Sequence, residues 1–314
     1  MRLIAAFIQL IRLPNLIFIA LTQYLFHFAI VLPLFKNQGI EPIFSWSLLT
    51  LLIFSSVLIA AAGYIINDYF DINIDLVNKP HKNVIDAIIN RRWAMFWHSL
   101  LSFIGVAIGF FVGWKINIWW IGPANFLCSF FLFTYSTTFK KRLLLGNIII
   151  SLLTGWTVAL IGLSNFYLVY FHKPLFGDIE NDKLFRLTIL YSAFAFIISL
   201  IREAVKDMED IEGDRKFGCT TLPIKWGMNA ARIYVVLWLS VLMAILFILL
   251  AYVLQYKWWW LDLYTLLLII IPLVFTLVKI QKARVAKDYH ALSSLTKGIM
   301  FAGILSMIFF KFYL

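Results

Sequence analysis

The 314-residue chain is 62% hydrophobic and only 14% charged, with 27 Lys and Arg against 16 Asp and Glu. A water-solvated domain is nearer half apolar and a quarter charged, so this composition excludes an ordinary soluble protein. In so apolar a chain the basic excess fits loops facing anionic lipid, not nucleic acid.

Met1-Arg2-Leu3 leads into the first apolar run with no small-residue cleavage site, so that run is expected to remain as a span. Apolar stretches between polar interruptions predict nine spans: 14–35, 46–66, 93–113, 117–138, 145–170, 184–203, 229–254, 258–279 and 291–313. All should be helices, because lipid cannot satisfy an open backbone. No polar connection is long enough for a soluble domain, so residues 1–314 are expected to form one all-α membrane domain. Cys128 falls in a span and Cys219 in a polar loop, which gives no reason to expect a disulfide. His27 and His98 lie in or near spans and carry no assigned role.

Charge sets an expected orientation. If the N-terminus and the connections after spans two, four, six and eight share one side, that side holds 20 of the Lys and Arg. The other side holds seven: Lys36, Lys115, Lys173, Lys183, Arg186, Lys257 and Lys311. The positive-inside rule makes the richer side cytoplasmic, and Trp258-Trp259-Trp260 then falls in an outer aromatic belt.

Nine of the sixteen acids fall in two segments, at the expected cytoplasmic ends of spans two and six. In the first, Asn67, Asp71 and Asp75 are spaced i, i+4, i+8 and share a helix face if span two continues, with Asp68 beside it. In the second, Asp207, Asp210 and Asp214 are spaced i, i+3, i+7, again one face of a helix. Such acids repel one another and are costly near a bilayer core, so two clusters need a compensating charge. Oxygen donors without His or Cys suit a hard cation such as Mg2+, which uses one or two carboxylates and fills its shell with substrate phosphate and water. Arg12, Lys79, Lys82, Lys140, Lys141, Arg142, Arg202 and Lys206 lie on the same side, ready to neutralise the remaining phosphate oxygens. Asp178, Glu180 and Asp182 are irregularly spaced on the other side, near Pro174 and Gly177, and read as loop.

Asn67-Asp68-x-x-Asp71-x-x-x-Asp75 resembles the first aspartate-rich motif of the UbiA superfamily of intramembrane prenyltransferases. Asp210-x-x-x-Asp214, with Lys216-Phe217-Gly218 and Thr221-Leu222-Pro223 after it, resembles the second. Arg12-Leu13-Pro14-Asn15, Tyr135-Ser136, Lys140 and Gly146-Asn147 extend the likeness over most of the chain. The resemblance implies nine helices around a central cavity, with the acidic motifs at its cytoplasmic mouth. It implies Mg2+ and diphosphate binding by Asn67, Asp71, Asp75, Asp210 and Asp214. Arg12 and Lys140 stand where bases approach the substrates, and Asn15, Tyr135 and Asn147 fall in the cavity motifs. Within the superfamily the second segment looks most like that of digeranylgeranylglyceryl phosphate synthases, which move a geranylgeranyl group onto a glycerol-phosphate lipid. After Asn78-Lys79-Pro80 the chain departs from the Arg-Pro and Pro-Ser-Gly common in the family, and Lys82 stands for the Arg without its bidentate geometry.

The expected activity is therefore Mg2+-dependent transfer of a prenyl group from its diphosphate to a lipophilic acceptor. Arg12, Lys82, Lys140, Arg202 and Lys206 are expected to meet the diphosphate. Asp68 and Asp207 are the candidate bases for a hydroxyl acceptor. Tyr64, Phe133 and Tyr135 are aromatic faces near the right depth to stabilise an allylic cation. An aromatic quinone or pigment precursor is the alternative acceptor. A cation-coupled secondary transporter is the alternative from another class, although its acids would sit near the midplane of repeated, broken helices.

Overall fold

The computed structural model describes residues 2–37, 39, 41–78, 85, 88–172 and 178–314. Lys82 and the neighbouring atypical loop residues lie outside them. Among the described residues the chain is built of helices, with one isolated bridge between Ile85 and Ile89. In chain order they are α1 (Arg2–Leu10), α2 (Leu13–Asn37), α3 (Trp46–Asn78), α4 (Arg91–Lys115), α5 (Ile121–Thr137) and α6 (Leu145–His172). There follow α7 (Asp178–Glu209), α8 (Ile211–Lys216), α9 (Leu222–Lys225), α10 (Gly227–Leu254), α11 (Trp259–Lys282) and α12 (Ala286–Tyr313).

Eight of these helices are long and apolar enough to cross a membrane. The ninth expected span, 117–138, is α5, whose 17 residues rise about 26 Å and are at the short end for a spanning helix. Outward-facing side chains such as Phe103, Trp119, Ile248 and Phe312 are more than two-thirds exposed, a surface suited to lipid and not to water. The protein is an integral membrane protein.

Local sequence explains several helix limits. Asn90 caps α4 by accepting a hydrogen bond from the Arg92 backbone N–H at 3.0 Å. Pro14 sits in the first turn of α2, where its missing N–H costs nothing. Asp178, Glu180 and Asp182 correct the sequence reading: they open α7 and are not loop. Negative charge in the first turn of a helix is favoured by the helix dipole. Arg186 also pairs with Asp182 at 3.1 Å, one turn on.

The helices pack in two large apolar clusters. One gathers α2, α3, α6 and neighbouring ends around Phe26, Leu52 and Ile161, and the other joins α7 and α10–α12 around Ile201, Leu239, Leu273 and Tyr289. Gly105 and Gly109 let α4 lie close on α3 and α5, since a Cβ at Gly105 would meet Ile59 at 2.7 Å. Ser55 then donates to the Gly105 carbonyl at 2.6 Å and Asn125 donates to Ser55 at 2.7 Å, the small-residue and polar packing usual between helices in lipid. Among the described residues α2, α3, α5, α6, α7 and α12 supply the membrane-depth walls of a central cavity. No described residue of α4, α10 or α11 lines it.

Candidate active site

The first acidic segment is placed by helix length. Helix α3 runs 33 residues, so Asn67 stands about 32 Å from Trp46, just past a hydrocarbon core of about 30 Å. Because the helix continues unbroken to Asn78, Asn67, Asp71 and Asp75 all line the cavity. Asp71 is buried and accepts from Asn67 Nδ2 at 2.8 Å. Lys140, carried on the short turn after α5, forms an ion pair with the same Asp71 oxygen. Burial alone would push the Lys140 ammonium toward its neutral form, but Asp71 and then Tyr135 outweigh it and hold its pKa above the ordinary lysine value.

The second segment is not one helix face. Helix α7 stops at Glu209 and α8 restarts at Ile211, with the break at Asp210. A side chain from α3 spans this break: Asn78 Nδ2 donates to the Asp210 carbonyl at 3.0 Å, and Asn78 Oδ1 accepts from the Gly213 N–H at 2.8 Å. This one side chain ties the two acidic segments together. Only glycine fits opposite it, since a Cβ at residue 213 would lie 2.5–2.7 Å from the Asn78 amide. Asp207, Asp210 and Asp214 nevertheless all line the cavity, with Asp214 buried.

The bases are arranged in pairs. Arg12, the left-handed residue that turns α1 into α2, donates to Asp68 at 2.5 Å and lies 5.1 Å over the Tyr64 ring. Burial opposes its charge, but Asp68 holds the guanidinium firmly protonated. Buried Glu203 accepts from Arg202 at 3.0 Å and from Lys206 at 3.2 Å. The Arg202 Nε is buried and has no partner among the described residues. Asn147 does not line the cavity; it donates to Asp207 at 2.9 Å and so holds that carboxylate from behind. Asn15, Tyr64 and Tyr135 do line it. Phe133 does not: it is 40% exposed and stacks on His98 at 5.9 Å, away from the cavity.

The cavity holds about 680 Å3. It runs from these charged residues to an interior lined by Ile150, Leu153, Ala195 and Met307, with Gln23, Asn125 and Thr157 as a sparse polar belt. Such a space accepts a long apolar chain with a charged head. Among the described residues no three acidic, His or Cys groups already converge as a closed metal cage. A hard cation that keeps substrate oxygens in its shell does not need one. The oxygen donor set fits Mg2+, and the Asn67 Oδ1 is buried without a partner among the described residues, an acceptor left for a cation.

Sequence reasoning gave no role to Glu203, Asn78, His290 or Lys297. His290 reaches across from α12 to Glu209 at 2.8 Å, and Lys297 donates to Asn15 at 2.7 Å; both line the cavity. Lys297 was findable as the single cation inside the predicted span 291–313 before Lys311, since an ionisable group there is rarely idle. The Asn78 clamp had no such signal.

The sequence model of the UbiA prenyltransferase family matches residues 38–305. Digeranylgeranylglyceryl phosphate synthase of Pyrococcus horikoshii is 29% identical over 228 residues, covering 73% of this chain and 71% of the relative. The synthase of the same name from Methanothermobacter thermautotrophicus is 34% identical over 190 residues, covering 60% of this chain and 59% of the relative. A solved structure of a UbiA homolog from Archaeoglobus fulgidus bound to DMAPP and Mg2+ shares the fold, with a TM-score of 0.55 at 16% identity over 95% of this chain and 99% of that one.

Proposed function

The chain belongs to the UbiA prenyltransferase family and is a membrane prenyltransferase, and from that premise we propose that it moves a geranylgeranyl group from its diphosphate to the free hydroxyl of a prenylglycerol phosphate. One observation carries the reading: both acidic segments and their bases meet at the polar end of one cavity whose far side is apolar. The acceptor follows from the names of the curated relatives. The acidic end faces the cytoplasm, in accord with the distribution of Lys and Arg.

Asn67, Asp71, Asp75, Asp210 and Asp214 would hold Mg2+ together with the diphosphate. Bound there, the metal supplies Lewis-acid neutralisation of the departing diphosphate. Lys140, Lys206 and Arg202 sit beside those acids and meet the oxygens that remain. The allylic C1–O bond breaks, the electron pair leaves with diphosphate, and the acceptor oxygen forms the new bond to C1 while losing its proton. Tyr64 and Tyr135 line the cavity, where aromatic rings can stabilise the cationic carbon chain. The apolar walls exclude water, which would otherwise capture that cation. Of the two candidate bases, Asp68 is committed to Arg12, whereas Asp207 accepts from the neutral Asn147 amide. Asp207 is therefore the residue that takes the hydroxyl proton.

Purified protein in liposomes, given geranylgeranyl diphosphate and Mg2+, should form the lipid diether and release diphosphate with geranylgeranylglyceryl phosphate as acceptor, and should form no product with 4-hydroxybenzoate. A prenylated aromatic product with no diether would overturn the assignment of the acceptor.

A further inference from the structure

The reaction proposed above brings two anions into one cavity: the diphosphate of the donor and the phosphate of the acceptor. Each needs its own cations, because two phosphates held together in a weakly screened space repel strongly. Four of the cationic side chains lining the cavity are already engaged with carboxylates: Lys140 with Asp71, Arg12 with Asp68, and Arg202 and Lys206 with Glu203. Lys297 is different. It is half-buried, lines the cavity from α12, and its ammonium donates to the neutral carbonyl oxygen of Asn15 at 2.7 Å. No carboxylate pairs with it among the described residues.

Its surroundings suit an anion with a tail. Arg12 and Arg202 are close enough for their charges to act on Lys297, so the polar end of this wall is positive. Ser293 and Ser294, one turn before Lys297 on the same helix face, also line the cavity. Past Lys297 that face continues into the cavity as Met300, Gly303, Ile304 and Met307. Opposite, α2 repeats the order, with Asn15 at the polar end and then Phe18 and Ile19. Helices α2 and α12 pack together through an edge-on contact between Phe18 and Phe301, with ring centres 5.2 Å apart. Together they form a lane with a cationic head end and an apolar tail end.

We propose that the α2–α12 wall is the acceptor lane, in which Lys297 and Asn15 hold the phosphate of the prenylglycerol phosphate while the opposite acidic segments hold the donor diphosphate. This rests on the function proposed above and assigns Lys297 as the residue that selects an anionic acceptor. It places the acceptor's tail along Met300, Gly303 and Ile304, and its hydroxyl toward the acids on α7.

The test compares wild type with Lys297→Met on two acceptors, geranylgeranylglyceryl phosphate and unphosphorylated geranylgeranylglycerol, with geranylgeranyl diphosphate as donor. Lys297→Met should raise the KM for the phosphorylated acceptor by about 10- to 100-fold, as loss of a charge-assisted hydrogen bond does. The KM for donor and the rate on the neutral acceptor should stay near wild type, and Lys297→Arg should restore most of the preference for phosphate. An equal loss on both acceptors, or a raised KM for donor, overturns the acceptor lane while leaving the function standing. An unchanged preference for phosphate in folded Lys297→Met does the same. If wild type itself makes no product from either glycerol lipid, the proposed function fails, and the acceptor lane with it.

Discussion

The Asn78 clamp makes a quantitative prediction, because one side chain holds the geometry between the two acidic segments. Asn78→Ala removes the hydrogen bond to the Asp210 carbonyl and the one from the Gly213 N–H, at 3.0 and 2.8 Å. Two hydrogen bonds at about 0.5–1.5 kcal/mol net each give a loss of roughly 1–3 kcal/mol in holding Asp210 and Asp214 against α3. If that ordering is supplied by metal binding instead, the apparent affinity for Mg2+ in the prenyl-transfer assay should fall by about 5- to 150-fold. The rate at saturating Mg2+ should recover most of the wild-type value, since no ligand is lost. Gly213→Ala offers an independent route to the same defect, because its Cβ would displace the Asn78 amide. The double variant should then be no worse than Asn78→Ala, since the amide that the added methyl group would strike is already gone. Wild-type Mg2+ dependence in folded Asn78→Ala, or simple addition of the two effects, would refute the clamp.

Three further outcomes are expected. Asp71→Asn and Asp210→Asn should each lower Mg2+-dependent transfer by at least about 100-fold, with the double variant little worse, because the residues act as one charge-stabilising unit; Asp178→Asn should be near normal, and near-normal rates for the first two would remove the metal site. Lys140→Met leaves the buried Asp71 carboxylate without its cation, so thermal unfolding in metal-free detergent should show a loss of about 3–5 kcal/mol that Asp71→Asn largely reverses; no reversal would mean that the Lys140 chain is needed for packing alone. Single cysteines at Lys140 and Asp210 should react with an impermeant reagent from the cytoplasmic side and one at Lys257 from the other, and labelling of Lys140 and Lys257 from one side would overturn the orientation.

Family membership sets aside the transporter alternative, and it does so in agreement with where the acids lie: at the ends of helices, not midway along them. The membrane class, the helix positions and both acidic segments were legible because their signals are local. An apolar run of spanning length declares itself within about 20 residues. An i, i+4, i+8 series of Asn67, Asp71 and Asp75 declares one face within three turns. The resemblance could match motif residues for the same reason.

What the sequence by itself determined, then, is which residues are local neighbours on each helix and which ends of the helices carry charge. Tertiary structure decided who meets whom. Asn78 meets Asp210 across 132 positions, and Lys297 meets Asn15 across 282. It also turned Phe133 outward onto His98, set Asn147 behind Asp207, and placed α4, α10 and α11 outside the cavity wall. In lipid every face of a helix can be apolar, so hydrophobic periodicity does not tell a wall that faces the cavity from one that faces the bilayer. Close packing at Gly105, Gly109 and Gly213, and the pairing of buried polar groups, make that choice only once the helices are assembled.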